Sequence, residues 1–308
     1  MRRGFAAALG SGGARGWCHI GVLRALEARG HVPGGVAGCS MGALVGAAWA
    51  ADRLDALEEW ARDLTLSGLV GRIDPWLGQG GVIGGRAVGR LLDDLGLPER
   101  IEDLLRPLII IATDMATGRE VWFTDGALRD AVRASISIPG VFRPHQIDGR
   151  WLLDGGLVNP VPVSAARGLG FRRILGVNPN GKGGAPLWSP GTEGTLWDKL
   201  GGTELMQRLP PALRDLIEDE RDRTPTGPDM MQVVSTSIDI MTEYLRATRA
   251  AADPADVTLN ALLAGISVLE LDRAAEAIAE GERLVQEAAD RLDTVLGAPD
   301  RGPHPPST

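Results

Sequence analysis

"VAGCSMGALVG", residues 36–46, sets Ser40 between Gly38 and Gly42, at the joint between an apolar run and a helix-forming one. The run before it, "GGVAG", reads as a short strand. The run after it, "MGALVGAAWAADRL", is rich in helix formers and free of proline. Strand, tight turn and helix together predict an α/β sheet in which a serine is exposed on a strained turn, and glycines on either side let strand and helix pass closely. The competing reading is a serine that merely caps the helix. In a chain with 42 glycines, a bare Gly-x-Ser-x-Gly can arise by chance, so its surroundings have to decide.

Outward from this joint the same alternation repeats. Short apolar runs at 5–9, 108–113, 120–124, 150–153, 174–178 and 257–262 join 35–38 as strands. Helical patterns lie at 16–30, 41–66, 86–95, 126–136 and 161–169, and a long charged helix is expected over about 270–296. One domain over 1–297 accounts for this pattern. A Gly/Pro-rich excursion at about 180–228 carries short amphipathic stretches, read as packing on the domain edge, with a lid as the sharper alternative. Residues 298–308 read as a disordered tail.

The 32 basic and 40 acidic residues give a net charge of −8 and no basic face, which argues against nucleic acid as partner. Cys18 and Cys39 lie in apolar or glycine-rich runs outside any metal spacing; a reduced compartment, no metal and no cofactor are expected. The start "MRRGFAAALGSGGARGW" mimics a secretion signal, but its apolar run is short and Arg15 interrupts the small-residue stretch after it. No run reaches the ~18 apolar residues of a membrane span. The expectation is a cytoplasmic protein whose contact with a membrane surface is at most transient. The oligomeric state is left open.

Two further glycine-rich sites accompany the serine. In "LGSGGARGWCHIGVLRALE", residues 9–27, a strand meets a helix through Gly10, Gly12, Gly13 and Gly16. A dinucleotide fingerprint is poorly matched, because Arg15 takes the third glycine's place and no acid follows at the expected distance. A P-loop is poorly matched as well, because residues 9–27 contain no lysine. The remaining readings are a plain turn or a loop whose N–H groups meet an anion or a developing oxyanion, with Arg15 adding positive charge. In "RWLLDGGLVNPVP", residues 150–162, Asp154 ends an apolar strand before Gly155 and Gly156, where a carboxylate at the rim of a sheet suits a general base.

A Ser-Asp-His triad needs a histidine after the acid. Of His19, His31, His145 and His304, the last alone follows Asp154, and it falls in the tail. Asp154 acting directly on Ser40 is the simpler constellation, with His145 as an out-of-order alternative. A regulatory protein that binds an acyl group on the same scaffold is the rival to a hydrolase, and a nucleotide-binding domain is a third reading.

Taken in order, "GSGGARGWCHIGVLRALE", "GCSMGALVGAAWA", "ATDMATGREVWF", "ASISIPGVFRP" and "DGGLVNPVPV" resemble the patatin-like phospholipases, in particular the bacterial branch similar to the neuropathy target esterase catalytic domain. The resemblance spans about residues 5–178 and implies a three-layer α/β/α sandwich with a mostly parallel central sheet. It implies a catalytic Ser40–Asp154 dyad, an oxyanion and substrate-binding set of Gly12, Gly13, Arg15 and Met41, and a lipid acyl ester as substrate, phospholipid or lysophospholipid being favoured. Ser11 breaks the glycine run common among relatives, and Cys39 stands where threonine is common.

Overall fold

A computed structural model describes residues 2–65, 81–83, 85–184 and 230–297. The strands are β1 (Arg2–Leu9), β2 (Val36–Cys39), β3 (Gly81–Ile83), β4 (Leu108–Asp114), β5 (Glu120–Phe123), β6 (Gly140–Phe142), β7 (His145–Ile147), β8 (Arg150–Asp154), β9 (Phe171–Asn178) and β10 (Val257–Asn260). The described helices are α1 (Cys18–Ala28), α2 (Met41–Ala50), α3 (Leu54–Arg62), α4 (Arg86–Asp94), α5 (Leu128–Ser135), α6 (Val163–Gly168), α7 (Met230–Ala252), α8 (Ala274–Glu287) and α9 (Ala289–Leu296).

Every residue of β4, "LIIIATD", is buried, and so are the last five of β1. Strands covered on both faces read as continuous apolar runs, and they sit at the centre of a parallel sheet. The main sheet has the order β10-β9-β1-β2-β4-β8-β7. It is parallel from β10 to β4 and antiparallel at the β4–β8 and β8–β7 pairs, with β5 antiparallel to β4 off this path. Successive β1 side chains point to opposite faces. Phe5, Ala7 and Leu9 pack with α1, α2, α3 and α8, whereas Ala6 and Ala8 pack with Val163, Ala165 and Ala166 of α6. The result is the expected sandwich of helices, mostly parallel sheet and helices.

All ten residues of α2 are buried, the burial expected of a helix that is apolar all round. Its end corrects one expectation. The helix predicted over 41–66 breaks at Asp52, whose φ of 59° is left-handed, and resumes as α3. The long helix expected over 270–296 is a 3-10 turn, Leu271–Arg273, followed by two helices, and the 16–30 pattern opens with a 3-10 turn over Gly13–Trp17. The three-residue strands β3, β6 and β7 leave no mark in the sequence pattern, because three residues are too few to show a period.

Beyond Asn178 the excursion is described only to Gly184, so 185–229 and the tail lie outside the described residues. After them, several charges of α7 are paired. Asp239 pairs with Arg15 and Lys182, Glu243 with Arg246, and Arg249 with Glu120 of β5. Its outer side exposes Val233, Ile240, Met241 and Tyr244. Among the described residues no helix is long and apolar enough to cross a membrane.

Candidate active site

The C-terminal ends of parallel strands are where an open α/β sheet presents ligand-binding loops. Here three such ends converge. β1 runs into the glycine loop, β2 into Ser40 and β9 into Asn178–Asn180. Ser40 is the N-cap of α2 and adopts φ 55°, ψ −123°, one of three non-glycine residues with positive φ among those described. Such strain concentrates at functional sites. The close passage that allows it depends on the flanking glycines. A Cβ on Gly42 would lie 2.2 Å from Leu9 O, and one on Gly38 would lie 2.4 Å from Gly42 O.

Asp154 ends β8, which runs antiparallel to β4 with Ala112 opposite the aspartate. Its Oδ2 accepts from Ser40 Oγ at 2.6 Å and its Oδ1 from Gly156 N–H at 2.7 Å. Only 6% of the residue is exposed. Burial pushes its carboxyl up to about 6, while the bonds from Ser40 and Gly156 pull in the opposite direction. Cys39 Sγ sits 4.0 Å from Oδ1, and burial raises that thiol further from ionisation, with the nearby Asp154 charge acting the same way. The thiol therefore stays protonated and serves as a weak donor beside the carboxylate.

The glycine loop packs against the serine turn, since a Cβ on Gly16 would lie 2.5 Å from Met41 Cβ. Ser11 N–H bonds Pro160 O and Ala14 N–H bonds Val268 O, which pins both ends of the loop. Among the described residues no acceptor takes the N–H of Gly12 or Gly13, and Met41 N–H belongs to the unpaired first turn of α2. The N–H of Ser40 itself is committed to Ser135 Oγ at 2.9 Å. Gly13 needs its φ of 52°, and a Cβ there would meet Val268 O at 2.3 Å.

Arg15, expected to add positive charge, points elsewhere. Its Nε donates to Ile266 O at 2.6 Å and its Nη1 to Asn180 Oδ1 at 3.1 Å, with Asp239 3.6 Å away. It ties the glycine loop to α7 and to the chain after β10. Gly10 approaches Pro160 O, and Gly155 approaches Ile111 O, so both serve as points of close backbone contact.

The three described histidines are engaged away from Ser40. His19 Nε2 donates to Gly10 O at 2.8 Å, and burial pushes its pKa down to about 4, so it stays neutral. His31 meets Asp293 at 2.7 Å, and His145 meets Asp130 at 2.9 Å. No group of three His, Cys, Asp or Glu suited to a metal occurs among the described residues.

Ser135, Ser137 and Thr113 also reach the pair, and residue patterns alone assign them no part. The signal for two of them is present in "ASISIPGVFRP", a stretch that matches as a motif without a role for its serines.

Comparison with known proteins bears on the family of the chain. A family model described as patatin-like phospholipase matches residues 7–167. An uncharacterised NTE family protein of Mycobacterium tuberculosis is 33% identical over 94% of this chain and 92% of its own. The human patatin-like phospholipase domain-containing protein 6 is 33% identical over 66% of this chain, which corresponds to 15% of that much longer protein. Among solved structures, VipD from Legionella pneumophila overlays 94% of this chain and 67% of its own with a TM-score of 0.46 at 16% identity, too loose a likeness to carry an argument.

Proposed function

This chain belongs to the patatin-like phospholipase family, and from that premise we propose that it is a serine hydrolase of lipid acyl esters working through Ser40 and Asp154. The observation that carries the reading is the 2.6 Å bond from Ser40 Oγ to Asp154 Oδ2 on a turn with positive φ. A carboxylate whose pKa lies near 6 is ionised at neutral pH yet basic enough to accept a proton.

In the forward step Asp154 takes the hydroxyl proton as Ser40 Oγ attacks the ester carbonyl. The charge on the tetrahedral oxygen is met by the N–H groups of Gly12 and Gly13, with Met41 N–H at the helix end beside them. Collapse breaks the carbon–oxygen bond of the leaving alcohol, which receives the proton held by Asp154. A water then gives its proton to Asp154 and attacks the acyl-serine. Collapse frees the fatty acid and returns the proton to Ser40. No metal or cofactor enters this sequence. Phospholipid or lysophospholipid is the favoured substrate class, and the apolar outer side of α7 is the part of the described surface best suited to brief contact with lipid.

The test is labelling with a fluorophosphonate alongside a chain-length series of synthetic esters, a lysophospholipid and a phospholipid. The wild-type protein should label and turn over long acyl chains, and Ser40→Ala should do neither. Equal labelling of the two would remove Ser40 as nucleophile. Labelling without turnover of any ester would return the protein to the acyl-binding reading.

A further inference from the structure

We infer that Ser135 is a positioning residue that holds the Ser40 turn in register with Asp154. The inference rests on Ser40 being the nucleophile. Ser135 is the last residue of α5 and is fully buried. Its Oγ accepts the Ser40 N–H at 2.9 Å and donates to Ile111 O of β4 at 2.6 Å. One hydroxyl supplies one donor and two acceptor positions, so a single rotamer makes both bonds at once.

The bond answers a specific need. A non-glycine residue at φ 55° costs about 1–3 kcal/mol and persists where its surroundings over-determine it. Gly38 and Gly42 remove steric objections to the turn but do not select it. The bond to Ser40 N–H does select it, because it fixes the peptide plane entering the serine and with it the direction of the Cα–Cβ bond. It also withdraws that N–H from the reacting carbonyl, which leaves the oxyanion to the loop amides.

The same short segment reaches the other partner. Two residues on, Ser137 O accepts Asp154 N–H at 3.0 Å, while Thr113 Oγ1 of β4 donates to Asp154 O at 2.8 Å. Residues 135–137 therefore touch the backbone of both Ser40 and Asp154. Beneath them, buried Arg133 donates to Ser137 Oγ at 2.9 Å and to Arg143 O at 2.8 Å, with its guanidinium 5.2 Å from the centre of the Phe142 ring. The Ser137 hydroxyl thus belongs to the support, whereas the Ser135 hydroxyl bonds the nucleophile's own amide.

The experiment compares Ser135→Ala, Ser135→Thr, Ser135→Cys and Ser137→Ala in the full chain. It measures the fluorophosphonate labelling rate, kcat and KM on a soluble ester, the acid limb of the pH profile, and Tm. Misplacement of a reacting group by about 1 Å costs about 100-fold. Ser135→Ala should therefore lower kcat and labelling together by about 10- to 100-fold, with KM within twofold and the acid-limb pKa at or above its wild-type place, because the loosened bond from Ser40 is one of the two that hold the Asp154 carboxyl down. Ser135→Thr, which keeps the hydroxyl, should recover most of the rate. Ser137→Ala, which keeps both backbone contacts, should stay within about threefold of wild type.

A folded Ser135→Ala with kcat and labelling within twofold of wild type overturns the inference. So does a Ser137→Ala loss as large as that of Ser135→Ala. If Ser135→Ala does not fold, Ser135→Cys decides, since a thiol fills nearly the same space with weak hydrogen bonds; full activity there overturns the inference as well. Failure of the underlying reading is separable, because it appears as undiminished labelling of Ser40→Ala.

Discussion

Ser40 Oγ lies 2.6 Å from Asp154 Oδ2, and the described histidines bond elsewhere. A buried carboxylate in this position must be ionised to accept the serine proton. Its folded-state pKa near 6 sets the relevant window. We expect kcat/KM to rise tenfold per pH unit on the acid side and to level off above an apparent pKa of about 6. A rate that stays flat from pH 5 to 8 would count against Asp154 as base.

The same carboxylate bears on stability with a definite sign. Its pKa is higher folded than unfolded, so its contribution is fully present below the unfolded value, 3.8, and is lost as pH rises through about 6. A shift of this size corresponds to about 2–3 kcal/mol. Asp154→Asn should therefore be inactive yet melt several degrees above wild type at pH 8, with the gap closing at pH 4. Thermal melts at the two pH values check this, and a gap that is equal at both would show that burial of the charge is not its cause.

His145 provides the discriminating substitution between dyad and triad. It bonds Asp130 at 2.9 Å and is partly exposed. His145→Ala should leave labelling and kcat within about twofold and change stability by about 1 kcal/mol at most. A loss of 100-fold would make the histidine part of the machinery.

Close backbone passage makes Gly42 intolerant of any side chain. An added methyl would lie 2.2 Å from Leu9 O, whereas at Gly265 nothing stands within 4 Å. Gly42→Ala should destabilise by about 1–3 kcal/mol or more and abolish labelling, while Gly265→Ala should fall within about 0.5 kcal/mol of wild type. Denaturant unfolding of the two variants gives the comparison directly.

Much of the fold is readable because its periods are short and repeated. The buried runs of β1, β2, β4 and β9 announce a parallel sheet, and "VAGCSMGALVG" announces strand, turn and helix. Helix breaks are harder to see. Asp52 interrupts an otherwise continuous helical pattern through one residue's φ, which no periodicity records. Arg15 shows the corresponding limit at the site. Its place beside the glycine loop is visible, but the direction of its guanidinium is set by Ile266 O, Asn180 and Asp239, all more than 160 residues away along the chain.

Residue order by itself determined the chemistry on offer: a serine between glycines, an aspartate closing a strand, and no histidine after it outside the tail. Only the tertiary structure decided how these groups act on one another. It brings the 114-residue separation of Ser40 and Asp154 down to a 2.6 Å bond, and it buries the carboxylate until its pKa rises. It also supplies Ser135 to the serine's amide across β4. Hydrogen bonding and desolvation depend on distances between chain-remote atoms, and those distances exist only once the sheet has brought the strand ends together.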